Sequence, residues 1–414
     1  MTNTMGPKLQ FWLGINFFLL FFLFPTMTSW SNAALLLLLV TWLLGVKQIQ
    51  PYETIKHNPI LWILTGLVIV VLLGLLYTPA PTEWTSQNLR KYARFFYAVV
   101  LATLLIGNRR LQKLALSGFV LAMLFMVAST WLNIWFLLPW SASQVLGWGV
   151  SHHVFGDYIT QNVMVSFFSV MAFYKFVTTP HPQRWFWLIA ALLSAISVTH
   201  LSQGRTGIVV LVAGYSALIV GLLHISIKKR ILLVFALLVA LITLLATSSI
   251  IQSRFELGAQ ELSSSTQDRF SSIGHRVNNY KTTTQMIMDA PIIGHGTGAY
   301  HTEICRYLVP GDDCSIFQWH PHNQFLFFGA DHGLIGVLLY GGLILWMFRM
   351  AFKTSEHKAR ILMLALASIL LFNSMINSPW WSSRESQFFS YMLALAIAMC
   401  LPSNRPTNEN SADS

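Results

Sequence analysis

His320-Pro321-His322-Asn323-Gln324-Phe325-Leu326 follows a long polar insertion, residues 250–322, and opens an apolar run that continues to Met347. An apolar segment of that length is long enough to cross a bilayer. Two imidazoles and an amide therefore stand where water meets hydrocarbon, and ionisable groups at such a position are costly unless they are used. Whether this run is one membrane span among many decides the fold.

Composition answers in favour of many. Of 414 residues, 55% are hydrophobic and only 10% are charged, and the mean hydropathy is +0.58. Soluble domains carry roughly 25% charged residues, so a deficit spread along the whole chain indicates an integral membrane protein. No small-residue cleavage site follows the first apolar run, so that run is read as a retained helix. The net charge of +11 comes without an Arg/Lys stripe interleaved with aromatics, which argues against nucleic acid as a partner.

Twelve apolar runs lie near 9–24, 32–46, 59–77, 92–107, 112–132, 160–178, 185–203, 206–224, 230–249, 323–348, 359–377 and 386–401. Lipid excludes unsatisfied backbone, so each is read as a helix. With the N-terminus in the cytoplasm, the cytoplasmic segments hold 16 of the 26 basic residues and 4 of the 15 acidic ones. That is the positive-inside pattern, and it matches an even number of spans. The expected architecture is an all-α polytopic membrane protein of about twelve transmembrane helices. Spans one to nine fall in 1–249, a large outer loop or lid in 250–322, spans ten to twelve in 323–401, and a short cytoplasmic tail in 402–414.

The outer loop is too long for an idle connection. Val277, Tyr280, Ile287 and Met288 recur at helical spacing, which predicts an amphipathic helix over 274–289, ended by Pro291 and the turn Gly294-His295-Gly296-Thr297-Gly298. No strand precedes that turn, so it is not a nucleotide loop. Cys305 and Cys314 flank Pro310-Gly311. In an oxidising compartment the turn favours a disulfide over two free thiols.

Four groups of ionisable residues fall near the outer face. Arg205, in Ser202-Gln203-Gly204-Arg205-Thr206-Gly207 between spans seven and eight, suits bidentate phosphate binding or snorkels to the interface. Arg276, at the start of the loop helix, suits an anion at a helix N-terminus or is a solvated charge. His320 and His322 suit proton transfer, with Asn323 to orient a ring or a hydroxyl, and read otherwise as a metal pair or interfacial histidines. Without a third ligand at fixed spacing, the metal signal is weak. Asp331, roughly two turns into span ten, either pairs internally or supports the site. Arg90, Lys91 and Arg94 suit lipid head groups or a polyanion, and Trp380 and Trp381 read as an interfacial aromatic belt.

In this order and on one membrane face, Ser-Gln-Gly-Arg, Arg276, Gly-His-Gly-Thr-Gly-Ala-Tyr and His-x-His-Asn-x-x-Leu with Gly333 and Gly336 make the chain resemble the bacterial O-antigen ligases. The same layout is shared by the wider family of O-antigen polymerases and protein O-oligosaccharyltransferases. The resemblance implies a GT-C-like glycosyltransferase in the inner membrane of a Gram-negative bacterium, with its active site on the periplasmic face and both termini in the cytoplasm. It implies metal-independent, inverting transfer with no cofactor. The donor would be O-antigen on undecaprenyl pyrophosphate, and the acceptor a sugar hydroxyl of lipid A-core. It puts the general base at His322, with His320 and Asn323 in support, and pyrophosphate binding at Arg205 and Arg276. A lipid-linked glycan transporter is the reading from another class; it would place its charges near mid-span.

Overall fold

The computed structural model describes residues 6–222, 226–264, 271–309 and 311–401. The 402–414 tail, Pro310 of the cysteine hairpin and the 265–270 part of the polar insertion lie outside the described residues.

The described chain is helical throughout. In order, the helices are α1 (Pro7–Thr26), α2 (Thr28–Leu44), α3 (Val46–Ile49), α4 (Pro51–Lys56), α5 (Pro59–Gly74), α6 (Thr82–Leu105), α7 (Arg109–Leu132), α8 (Tyr158–Thr178) and α9 (Arg184–His200). They continue with α10 (Arg205–Gly221), α11 (Ile227–Thr247), α12 (Ser249–Ser264), α13 (Ser272–Asp289), α14 (Tyr300–Glu303), α15 (Cys314–Phe317), α16 (Gln324–Lys353), α17 (His357–Ile376) and α18 (Ser383–Cys400). Each of the twelve apolar runs falls on one of these helices.

Among the described residues, five helices are long and apolar enough to cross a membrane, and six if the bent pair Thr28–Leu44 and Val46–Lys56 is one span. Three more, α5, α9 and α10, are apolar but shorter. The remaining helices, α6, α8 and α18, carry polar residues that the fold buries. Asn88, Gln161, Asn162, Glu385 and Gln387 are all buried. The core runs along α18, which is buried from Glu385 to Ala398 and packs on α6, while α1 lies on α7 and α17 on α10 and α16. An apolar helix buried on every side needs no amphipathic stripe. α11 is the opposite case, with Ile231, Leu232 and Phe235 all exposed at the edge of the bundle.

Three sequence expectations change. α6 starts at Thr82, ten residues before the apolar run, because the polar stretch Thr82–Lys91 continues the helix outward. Part of the polar insertion is a second helix, α12, whose polar face hid it among loop residues. Trp380 and Trp381 are buried and do not form a lipid-facing belt. The Trp380 indole N–H donates to the Tyr340 hydroxyl at 3.2 Å and its backbone N–H to Gln324 Oε1 at 3.0 Å.

The largest departure lies inside span ten. α16 is broken at Gly333, which sits at φ 59°, ψ −156°. A broken helix frees backbone donors and acceptors that hydrocarbon cannot satisfy. The segment after α13 supplies them. Leu334 N–H donates to Pro291 O at 2.8 Å, and Ile335 N–H to Ile292 O at 3.3 Å. His295 N–H and Gly296 N–H donate to Ala330 O and Asp331 O at 3.0 and 2.8 Å. The glycine-rich turn is thus inserted against the break, with Thr297 Oγ1 donating to Val71 O of α5 at 2.6 Å. Asp331 closes it: its carboxylate accepts from Gly298 N–H at 3.1 Å and Tyr300 N–H at 2.9 Å. Of the two readings left open for Asp331, internal pairing or support of the site, no ion pair is found among the described residues; its carboxylate is bound to the backbone of the glycine-rich turn.

Gly333 has no substitute in this arrangement. A Cβ there would lie 2.4 Å from the Ile292 carbonyl, in a backbone region that only glycine occupies readily. Gly333→Ala is expected to lose at least about 1–3 kcal/mol of stability from backbone strain. Thermal unfolding of the purified protein in detergent reads this directly, and a midpoint equal to wild type contradicts the account of the break.

Candidate active site

α13 begins the site. Ser271 caps it, its Oγ accepting from Gly274 N–H at 3.1 Å, and this sets the first turn that carries His275 and Arg276. One turn on, the Tyr280 hydroxyl lies 3.1 Å from His322 O and 2.9 Å from Met375 O, so its hydrogen ties α13 to the His322 loop or to the end of α17.

The disulfide between Cys305 and Cys314, with Cα atoms 5.4 Å apart, joins the turn Ile304–Tyr307 to α15. α15 ends on buried Phe317, whose ring lies 4.7 Å from His275 and whose carbonyl accepts from Tyr300 at 3.1 Å. The hairpin thus fixes the segment that leads into His320. Beneath it, His301 stacks on Trp84 at 4.2 Å and packs on Trp381 at 4.5 Å, and the Lys91 ammonium sits 3.3 Å over the Trp381 ring.

Asn323 caps α16. Its Oδ1 accepts from Phe325 N–H at 2.9 Å and Leu326 N–H at 3.1 Å, and its Nδ2 donates to Met375 O at 3.2 Å. Both ends of the amide are engaged by backbone, so Asn323 holds His322 from behind. His322 itself is at φ 55°, in the left-handed region. Such a conformation in a non-glycine residue persists where its surroundings over-determine it, and it is concentrated at functional sites. The His322 N–H donates to His320 Nδ1 at 3.2 Å, which leaves the proton of a neutral His320 on Nε2. The two rings are 4.2 Å apart, and His275 is 5.8 Å from His322.

Arg205 comes from the other side. α8 packs so closely on its turn that a Cβ at Gly204 or Gly207 would lie 2.8 or 2.6 Å from Asn162 Nδ2. The two glycines of Ser-Gln-Gly-Arg-Thr-Gly therefore let α10 begin against α8, with Arg205 as its first residue. Arg205 Nη1 pairs with Glu261 Oε2 of α12 at 3.1 Å. Beside it a cavity of about 160 Å³ is walled largely by apolar side chains, among them Ile208, Ile251 and Phe255.

Arg276 links the two halves. Burial lowers its pKa; Tyr280 opposes this, and the charge of Arg205 adds to it, with Tyr158 and Glu261 on the opposing side. Burial also pushes His322 down to about 3, followed by the charge of Arg276 and then His275. The charge of Arg205 thus reaches Arg276, and that of Arg276 reaches His322, although the arginines lie 117 and 46 positions before the histidine. Burial likewise holds His320 well below the ordinary imidazole range, with His322 next in effect.

Sequence reasoning missed three contributors. His275 adjoined Arg276 and signalled nothing more, Tyr280 read only as a periodic apolar position, and Glu261 belongs to the helix that was not expected. Among the described residues, no group of three or more His, Cys, Asp or Glu is arranged to hold a metal ion.

Residues 188–341 match the family model for O-antigen ligase. The matched segment, 154 of the 414 residues, contains Arg205, Arg276, the glycine-rich turn and His322. A search of curated proteins finds no match.

Because burial and Arg276 keep the free His322 ring neutral, acidification to about pH 5 does not titrate it. If His322 is the base, kcat/KM is expected to show no acid limb from it between about pH 5 and pH 8. A limb near the ordinary imidazole value of about 6.5 that disappears in His322→Gln would contradict this placement.

Proposed function

We propose that the protein is an O-antigen ligase of the Gram-negative inner membrane. It transfers O-antigen from undecaprenyl pyrophosphate to a sugar hydroxyl of lipid A-core and so completes lipopolysaccharide. The observation that supports the reading is the match of residues 188–341 to the O-antigen ligase model, over a segment in which α13, the helix of Arg276, packs on the His322 loop through Tyr280 and His275. In the proposed topology twelve helices span the bilayer in a GT-C-like layout, both termini are cytoplasmic, and the 250–322 segment covers the site on the periplasmic face.

The chemistry follows from charge and proton balance. Neutral His322 takes the proton of the acceptor hydroxyl as its oxygen attacks the anomeric carbon. The new glycosidic bond forms on the face opposite the pyrophosphate, and the old C–O bond breaks with its electron pair going to undecaprenyl pyrophosphate. Arg205 and Arg276 offset the charge that develops on that leaving group. The depressed pKa of His322 suits this order of events. A pyrophosphate against Arg276 cancels the charge that helps to hold His322 down, so donor binding strengthens the base. No nucleotide or metal enters the scheme. The apolar cavity beside Arg205 gives the polyprenyl chain hydrocarbon contact next to the phosphate anchor. Two lipid-anchored substrates reach such a site by lateral diffusion, which favours attack geometry at the membrane edge.

His322→Ala should lower ligation by about 100-fold or more at wild-type levels of membrane insertion. Full-length lipopolysaccharide on a gel from that strain rules out the role given to His322. Arg205→Lys and Arg276→Lys keep the charge and lose the planar fork, and each should fall by about 100-fold. Normal ligation with altered glycan chain length would reassign the protein to the polymerases, and glycan on periplasmic protein to the oligosaccharyltransferases. Movement of intact donor without a new glycosidic bond would make it a transporter.

Glu261 competes with the donor for Arg205 in this scheme. For a partly exposed pair worth at most about 1 kcal/mol, Glu261→Gln is expected to lower the donor KM by about two- to five-fold. An unchanged KM means that the pair opens without cost.

A further inference from the structure

The end of the bundle opposite His322 has a cavity of about 330 Å³ where the start of α7, the end of α16, the start of α17 and the end of α18 meet. Four of its lining side chains are cations: Arg109, Lys113, Lys353 and Lys358. Its single carboxylate, Glu356, is held by Arg109 at 2.9 Å. Among the described residues, none of the three lysines has a carboxylate at ion-pair distance. Lys175 of α8 adds a further positive charge near Lys358.

The orientation of a membrane protein requires basic residues on one side of the bilayer. It does not require three chain segments to aim them into one concavity. Like charges gathered around a hollow repel one another, and an anion placed among them relieves that repulsion. The hollow also has apolar wall, including Leu116 and Met399. Cationic rim and apolar wall together fit a group that is anionic at one end and hydrocarbon at the other. We propose that this cavity binds a phosphate anion, and that its source is the head group of an anionic membrane phospholipid. Basic pockets between helices at a membrane face are suited to such head groups. The site lies at the other end of the helices from the proposed active site, so it is separate from donor and acceptor binding.

The test uses the purified full chain in non-ionic detergent, with thermal unfolding followed by tryptophan fluorescence. Phosphatidylglycerol is expected to raise the midpoint by about 3 °C near saturation, and phosphatidylethanolamine is not. Lys113→Gln and Lys353→Gln are each expected to raise the half-saturating phosphatidylglycerol concentration by about five-fold. Lys56→Gln, at the same membrane face but outside the cavity, is expected to respond like wild type. Single substitutions of exposed lysines keep the test valid if the combined Lys113, Lys353 and Lys358 variant does not fold. Inorganic phosphate forms a separate arm. A shift of the same size with phosphate, lost in the same variants, supports the anion site and assigns it to a soluble ion. Equal shifts with both lipids, or cavity variants that respond like wild type, overturn the proposal.

Discussion

The break of α16 at Gly333 is the constraint on which the His322 end of the molecule depends. A helix interrupted within the membrane leaves polar backbone without partners, and nearby water cannot supply them. Here the glycine-rich turn supplies them, and the Asp331 carboxylate binds that turn in place through two backbone N–H groups. Because the turn is anchored to α5 as well as to α16, the segments on both sides of it are fixed. Before it lies α13 with Arg276; after it come Tyr300, the disulfide hairpin and the approach to His320. A stretch that reads only as the turn ending the loop helix therefore sets the geometry of the His322 end of the molecule.

Electrostatics then gives that geometry a chemical direction. Two half-buried arginines near a half-buried imidazole are unfavourable company in the absence of an anion. Their mutual effects all act in one sense, lowering the proton affinity of Arg276 and His322. The pyrophosphate of the proposed donor would reverse that sense. Glu261 partly does so already from α12, at the Arg205 end. In the proposed reaction the site is completed by negative charge, and His322 is the stronger base when that charge is present.

Much of this was legible in the sequence, because membrane helices are written in long apolar runs. Each run falls on a helix, and the amphipathic spacing of Val277, Tyr280, Ile287 and Met288 located α13 to within two residues at its start. Arg205, Arg276, His320 and His322 could be singled out because charge at a membrane edge needs a reason. What stayed hidden depends on distant pairings. Nothing local marks Gly333 as a break, since the residues around it continue to read as helix. The tie between Asp331 and Gly298 spans 33 positions. The closeness of α8 to Gly204 and Gly207, beside Arg205, appears only in the folded chain. α12 was hidden for the opposite reason: it is polar enough to read as loop.

The central claim is that Arg205, Arg276 and His322 act together on one donor at this face. The most direct measurement is a reconstituted reaction containing only the purified protein, lipid-linked glycan and lipid A-core, with a chelator present and no nucleotide added. The account predicts glycan joined to core and undecaprenyl pyrophosphate released in equal amounts. Release of undecaprenyl pyrophosphate without joined product, or joining that begins only when a metal ion or nucleotide is restored, would contradict it.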